Sequence, residues 1–440
     1  MPNEQLRDAA RAYVASAIKL LRERKALIVI GGLTEWVRVD DHFEARPRTA
    51  PRADTGSHSA ELHARPEYGR LVGELTRDSA VGPQLNELVG TQMGQFRLDA
   101  SRIADDLIVE TVGDTGELVF AEDAFARAYA RVAEALYVNE FSIVMIAPIE
   151  KLESNALPLE LDDIALDVLT DDEVVACLNA GMLRPLAGMM PVVFTQGLVG
   201  LRHRFSIPKV IGPQENADSV IPLVNGLRDR TDRLLEVLRL LKNGTVTVPG
   251  FVYYSDSWIL RGAISFQTLG PVFAFRFGNY SINHDEAQEL RQLWQAVRDP
   301  RVVRHKSIPV ALRRLSFAGE RQRPDDRMVD LMVAGEALFL PADNQELSYK
   351  LATRAAFFLE DRGFGRKETF AHMKTAYTVR SKIVHGSRLP KLKAPDGTET
   401  TLEAFADKTA DYLRVATKKA LAISIGAEEG SLDFDSLVLR

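Results

Sequence analysis

Apolar and polar positions alternate in different ways along this chain, and the change of rhythm divides it. Residues 4–24 place apolar side chains at helical spacing and predict an amphipathic helix. An apolar run at 26–30 predicts a strand, ended by the Gly31-Gly32 pair. Residues 46–66 are rich in Pro, Arg, Ser and His without an apolar period, which predicts a loop of a composition compatible with disorder. Short apolar runs at 106–111, 141–149, 159–169 and 192–195 predict strands, interleaved with helices near 121–136 and 171–180. The expectation for this part is an α+β domain with a mixed sheet. A long helix at 221–241 follows, stopped by Lys242-Asn243-Gly244, and then a β-rich segment at 245–277. Beyond Asn283 the period turns helical to the end, with helices near 284–298, 306–318, 326–340, 344–361, 366–385 and 400–425, which predicts an all-α bundle. The expected division is a domain at 1–215, a connecting segment at 216–282 and a helical domain at 283–430.

Composition bounds the function. The chain has 440 residues, 46% of them apolar, enough for two or three domains with real cores. One cysteine, Cys177, rules out an internal disulfide and a cysteine-built zinc site, and it fits a reducing cytoplasm. Charges occupy the first residues where an export signal needs an apolar core, so a cytoplasmic location is expected. The longest uncharged run, 185–201, is interrupted by Gly188, Pro191, Gly197 and Gly200 and is short for a membrane span, so it predicts buried loop and strand. Residues 283–430 carry 25 Lys and Arg against 21 Asp and Glu, whereas residues 1–282 carry a net −9. A polyanionic partner therefore belongs with the C-terminal part.

Internal repeats, a P-loop, G-x-G-x-x-G, H-E-x-x-H and G-x-S-x-G are all missing, so NTPase, dinucleotide oxidoreductase, zincin and α/β-hydrolase readings lose their usual support. The pairs Asp162-Asp163 and Asp171-Asp172 raise the idea of a metal nuclease, but Asp171 and Asp172 follow Thr170 ahead of an apolar helix, as an N-cap and first turn require. Aromatic residues crowd the β-rich segment (Phe251, Tyr253, Tyr254, Trp258, Phe266, Phe273, Phe275, Phe277), where sheet core competes with base stacking. His42, His58, His63, His203, His284 and His305 show no paired ligand spacing.

One stretch carries chemistry, residues 366–386, reading RKETFAHMKTAYTVRSKIVHG. At about 100° per residue, Phe370, Met373, Ala376, Tyr377, Ile383 and Val384 gather on one apolar arc with Arg380 in its middle. A guanidinium in such a place needs carboxylates, phosphates or carbonyls to satisfy it. Gly386 directly after His385 is a helix stop, which places the imidazole in the final turn, where the helix dipole favours its protonated form and a pKa near or above neutrality. His372 falls opposite Phe370 and is expected in solvent. Between Arg362 and Lys393 stand nine basic residues and one acid, Glu368. Arg354 and Glu336 are two further charges on apolar helical surfaces, and with Arg380 they suggest one shared network, since breaking a buried pair costs about 3 to 5 kcal/mol.

Arg380-Ser-Lys-Ile-Val-His385, with Tyr377 before it and Gly386 behind, resembles the R-x4-6-H signature of the HEPN superfamily. The run TAYTVRSKIVHG is similar to its ApeA-like branch, and the likeness extends over roughly 283–428, through RRLSFAGERQRPDDRMVDLMVAGEALF and LSYKLATRAAFFL. The stretch IAPIEKLESNALPLELDDIALDVLTDDEV also resembles the region ahead of the helical domain in that branch. The resemblance implies a metal-independent RNA endonuclease without cofactor, assembled as a homodimer or higher even oligomer so that two motifs face one cleft, in a prokaryotic antiviral, abortive-infection or toxin-like effector answering to a phage or cellular trigger. The N-terminal part would sense or restrain. His385 would be the general acid/base and Arg380 the phosphate clamp, supported by Tyr377, Ser381, Glu336 and Arg354, with Lys374, Lys382, Arg388 and Lys391 on RNA. Ser381 stands where the family often has Asn, Asp or His. The chemistry is consistent: RNA supplies its own 2′-hydroxyl nucleophile, an imidazole moves protons, and an arginine grips phosphate oxygens. Some HEPN domains are non-catalytic modules, which leaves an RNA-binding or dimerisation scaffold as the alternative.

Overall fold

Helix α1 (Glu4–Arg24) starts where the Asn3 side chain accepts the Gln5 amide and ends at Lys25, which takes a left-handed turn. Its buried side is Leu6, Ala9, Ala10, Tyr13, Val14, Ala17, Ile18 and Leu21, the predicted helical period. The computed structural model describes residues 3–91, 94–113, 116–183, 192–194, 197–213, 220–244, 246–255, 257–260, 266–268, 280–341, 345–389, 391–393, 397–428 and 432–438.

Strands β1 (Leu27–Val39) and β2 (His42–Ala53) form a long antiparallel hairpin. The Gly31-Gly32 pair does not end β1; the register shifts between Ile30 and Leu33 and the strand continues. The expected loop at 46–66 is thus replaced by β2, helix α2 (Ser59–His63) and the start of α3 (Pro66–Arg77). Backbone pairing to β1 makes β2 a strand despite its composition. Pro47 and Pro51 are tolerated because β2 is paired on both sides only at His42–Glu44 among the described residues.

Strands β3 (Leu88–Thr91) and β4 (Gly94–Arg97) precede helix α4 (Ala100–Val112) and helix α5 (Glu122–Tyr137). The run expected as a strand at 106–111 lies inside α4, with Ile103, Ala104, Leu107, Ile108, Thr111 and Val112 buried. A short apolar run does not distinguish helix from strand; the Asp99 cap on the Arg102 amide (2.8 Å) does. Next come β5 (Glu140–Ile149), β6 (Leu152–Ser154), β7 (Leu159–Leu161), β8 (Ile164–Val168), α6 (Asp171–Asn179), β9 (Val192–Phe194), β10 (Val199–Pro208) and β11 (Val210–Ile211). Of the uncharged run at 185–201, residues 185–191, 195 and 196 lie outside the described residues. Helix α7 (Val220–Leu241) leads to β12 (Gly250–Tyr254), β13 (Phe266–Thr268) and β14 (Tyr280–Ile282).

The main sheet runs β13-β12-β5-β10-β8-β7, and every pairing in it is antiparallel. The mixed sheet that was expected is replaced by antiparallel pairing, most of it between strands distant in sequence; the parallel pair among the described residues is β14 beside β6. Phe251, Tyr253 and Trp258 are buried in its core, which removes them as stacking platforms. Phe273, Phe275 and Phe277 and the side chains of Tyr254 and Phe266 lie outside the described residues. Asp162 accepts Arg298 (2.7 Å) and Asp163 accepts Arg230 (2.5 Å), so this acidic pair ties the β7–β8 turn to the helices that follow. Thr170 and Glu173 cap α6 reciprocally, with Asp171 and Asp172 in its first turn.

The remainder is helical: α8 (His284–Arg298), α9 (Pro300–Val303), α10 (Ile308–Glu320), α11 (Pro324–Phe339), α12 (Leu347–Phe358), α13 (Arg366–Val384), α14 (Leu402–Ser424) and α15 (Phe434–Val438). The chain is therefore α+β, with sheets in its N-terminal part and helices in its C-terminal part. Helix α7 packs on α8, α10 and α14, while β12–β14 join the sheets, so residues 220–282 divide between both parts. One apolar core runs continuously from Leu6 to Phe434.

Candidate active site around helix α13

Helix α13 packs against α11, α12 and α14. Its last helical residue is Val384, His385 is the C-cap, and Gly386 takes a φ of 64°. The Ser387 amide donates to the Lys382 carbonyl (2.8 Å) and the Gly386 amide to the Ile383 carbonyl (3.1 Å). These bonds satisfy the last turn and leave His385 exposed at the carbonyl end of the helix.

The buried face of α13 is Thr369, His372, Met373, Ala376 and Val379. It is rotated by about 60° from the apolar arc read in the sequence. Val384 is 57% exposed, and Arg380 stands at the margin of the core. The expectation that His372 is solvated is overturned, since the residue is only 7% exposed. Its Nε2 lies 2.9 Å from the Thr409 hydroxyl and its ring stacks on Phe405 at 4.2 Å. Burial, with a smaller effect of Lys408, pushes its pKa down to about 4. Partners on α14 pull this polar flank inward, a fact that helical spacing cannot report.

Arg380 meets the carboxylate that its position demanded. Its Nη2 donates to Glu336 Oε2 on α11 at 3.3 Å, the two side chains being 26% and 24% exposed. This is its one hydrogen bond among the described residues, and Nε is buried without a partner. The guanidinium carbon stands 6.0 Å from the Tyr377 ring centre. Burial and then the Glu336 carboxylate raise the Tyr377 phenol above its ordinary range. Arg354 is buried, and its Nη1 donates to the Phe339 carbonyl at the end of α11 (2.6 Å). Glu336 and Arg380 thus form a pair, and Arg354 is anchored on backbone. Ser381 is half-buried, and its carbonyl accepts the His385 amide (3.1 Å).

The nine cations between Arg362 and Lys393 are not equally available. Arg362 pairs with Glu428, Arg366 with Glu360 and Lys391 with Glu399. Lys367, Lys374, Lys382, Arg388 and Lys393 make no ion pair among the described residues. Lys374 stands over the Phe370 ring at 5.6 Å. Two hollows flank the helix. One, of about 720 Å³, lies beside Tyr377 and Lys374 against Leu347 and Tyr349 of α12. The other, also about 720 Å³, is bordered by Arg366, Lys367, Lys391 and Lys393. Within one chain the helical rotation from Arg380 to His385 is about 140°, so the two side chains leave α13 in different directions.

Charges deeper than Glu336 escaped the sequence reading. On the same helix, buried Asp330 accepts Arg314 (2.9 Å) and Arg321 (2.6 Å), and buried Arg327 pairs with Asp407 of α14. The signal was present in the apolar surroundings of Asp330, but the partners come from α10 and the loop after it. Among the described residues no group of three or more His, Cys, Asp or Glu is placed to hold a metal ion, and no helix is long and apolar enough to cross a membrane. In comparisons with known proteins, no family model, no curated protein and no solved structure matches the chain.

Proposed function

We propose that the protein is a metal-independent RNA endonuclease of the HEPN type. The observation that supports this reading most is Arg380: a half-buried guanidinium held in place by Glu336, with donors unspent, five residues before an exposed histidine at the helix end. In the reaction, an imidazole removes the 2′-hydroxyl proton as that oxygen attacks the adjacent phosphorus. The bond to the 5′ oxygen breaks, and a protonated imidazole supplies its proton. A 2′,3′-cyclic phosphate and a 5′-hydroxyl result, and water then opens the cyclic phosphate to a 3′-phosphate. Arg380 grips the non-bridging oxygens as charge builds on them.

The divergence of Arg380 and His385 on one helix is why a homodimer is part of the proposal: two copies supply the base, the acid and two clamps to one cleft. The family likeness adds the setting of a cytoplasmic, prokaryotic antiviral effector of the abortive-infection kind, answering to phage. A second reading, a non-catalytic RNA-binding or dimerisation scaffold, draws on the same Glu336–Arg380 pair, which by itself ties α11 to α13. End-labelled RNA incubated with full-length protein in excess EDTA separates them. His385→Ala and Arg380→Ala are each expected to slow cleavage at least about 100-fold. Cleavage by His385→Ala at the wild-type rate would sink the assignment, and RNA binding without cleavage by all forms would favour the scaffold.

A further inference from the structure

We infer that the groove bordered by Arg366, Lys367, Lys391 and Lys393 carries a single RNA strand past α13 toward His385, gripping phosphates outside the bond that is cut. The identity of the polyanion rests on the ribonuclease reading; the groove does not.

The groove lies on the flank of α13 away from Arg380, and its volume of about 720 Å³ is that of a ligand cleft, in the range of about 300–1,000 Å³. Lys367 and Lys393 make no ion pair among the described residues. Lys391 faces Glu399 at 2.6 Å, but both side chains are mostly exposed, and such a pair yields readily to a phosphate. Buried His372 and Phe405 line the groove, and burial keeps the imidazole neutral. Glu368 is the acid in the groove, and it is engaged by the Tyr412 hydroxyl (2.8 Å) and by Lys408 (3.9 Å).

The groove points to the candidate site. On an ideal helix Lys367, Thr378, Lys382 and His385 fall within about 60° of one another, a stripe in which Lys382 is half-buried and the other three are exposed. The Thr375 and Thr378 hydroxyls along it donate to the carbonyls of Ala371 and Lys374 and do not compete for a ligand. From Thr375, at the groove's edge, to His385 the helix rises about 15 Å. Cations at both ends of that interval set a strand along the stripe with a phosphate delivered at the imidazole.

The test reads binding, not cleavage. Fluorescence anisotropy with a 5′-labelled single-stranded RNA, in EDTA, compares full-length His385→Ala protein with the same protein carrying Lys367→Gln and Lys393→Gln. The dissociation constant is expected to rise about tenfold, and the slope of log affinity against log salt to fall by about 1.4, or about 0.7 per phosphate contact. Arg304→Gln with Lys306→Gln, an exposed pair away from the groove, is expected to change affinity less than twofold. Equal affinity and slope in the Lys367/Lys393 variant, an equal loss in the remote pair, or no RNA binding at all would overturn the inference. Photocrosslinking of the same RNA to the unsubstituted protein needs no variant to fold: adducts at 365–375 and 391–393 support the groove, and adducts confined elsewhere refute it. A protein that binds RNA through these lysines and never cuts it keeps the groove and loses the nuclease.

Discussion

In the first half of α13, His372 is taken into the core, stacked on Phe405 and bonded to Thr409. At the far end of the same helix, His385 stands exposed on the turn that Gly386 closes. Thr409 gives its one proton to the Phe405 carbonyl (2.9 Å), so the His372 ring must donate from Nε2, and that nitrogen is committed. The two residues share a side chain and a helix, yet one lies in the core and the other is exposed to solvent. Burial and committed hydrogen bonds separate a structural imidazole from one free to do chemistry, and the spacing of the motif does not.

The largest effect that sharpens this contrast is on stability. His372→Ala is expected to lower the unfolding free energy by about 2 to 4 kcal/mol, through a cavity and lost stacking, while exposed His385→Ala stays within about 0.5 kcal/mol. Urea unfolding of both variants measures it, and equal losses would break the contrast. A second, somewhat smaller effect follows from pH. The depressed pKa of His372 means that the unfolded chain binds its proton first, so this contribution is complete above about 6.5 and is lost as pH falls toward 4. Relative to His372→Gln, the wild type is expected to lose on the order of 2 kcal/mol between pH 7 and 4, read from denaturation midpoints at each pH. An unchanged difference would show that the buried imidazole titrates normally. The smallest effect concerns the half-buried ion pair that Arg380 of the same helix makes with Glu336. Glu336→Gln removes the charge partner of a half-buried guanidinium, with an expected cost of about 1 to 2 kcal/mol. In a double-mutant cycle with Arg380→Ala, the coupling is expected near 1 kcal/mol. A coupling of zero would mean that Glu336 does not hold Arg380.

Much of the local structure was legible because its causes are local. The Gly386 stop, the Thr170 cap ahead of Asp171 and Asp172, the period of α1 and the six long helices after Asn283 depend on neighbours within a few residues, and each stands where the sequence places it. The α+β division follows from the same change of period. The pairing of Arg380 with a carboxylate was legible as a need, since a charge on an apolar surface requires a partner, and Glu336 was among the residues that stood out.

What the sequence could not determine depends on groups brought from far along the chain. Residues of β2 become a strand because β1 offers backbone partners, against a composition that favours a loop. The face of α13 is turned toward His372 because Phe405, Thr409 and Tyr412 lie on α14, 33 to 40 residues later. Arg354 rests on the Phe339 carbonyl, an acceptor that no residue pattern marks. The basic run between Arg362 and Lys393 is partly neutralised by Glu360, Glu399 and Glu428, so its usable charge is known only after folding. The sequence by itself determined the first helix, the long helices beyond Asn283, the glycine stop after His385 and which charges need partners, because propensity, capping and burial cost act over one or two turns. Tertiary structure alone decided which histidine is exposed and which cations remain unpaired, because those follow from long-range packing.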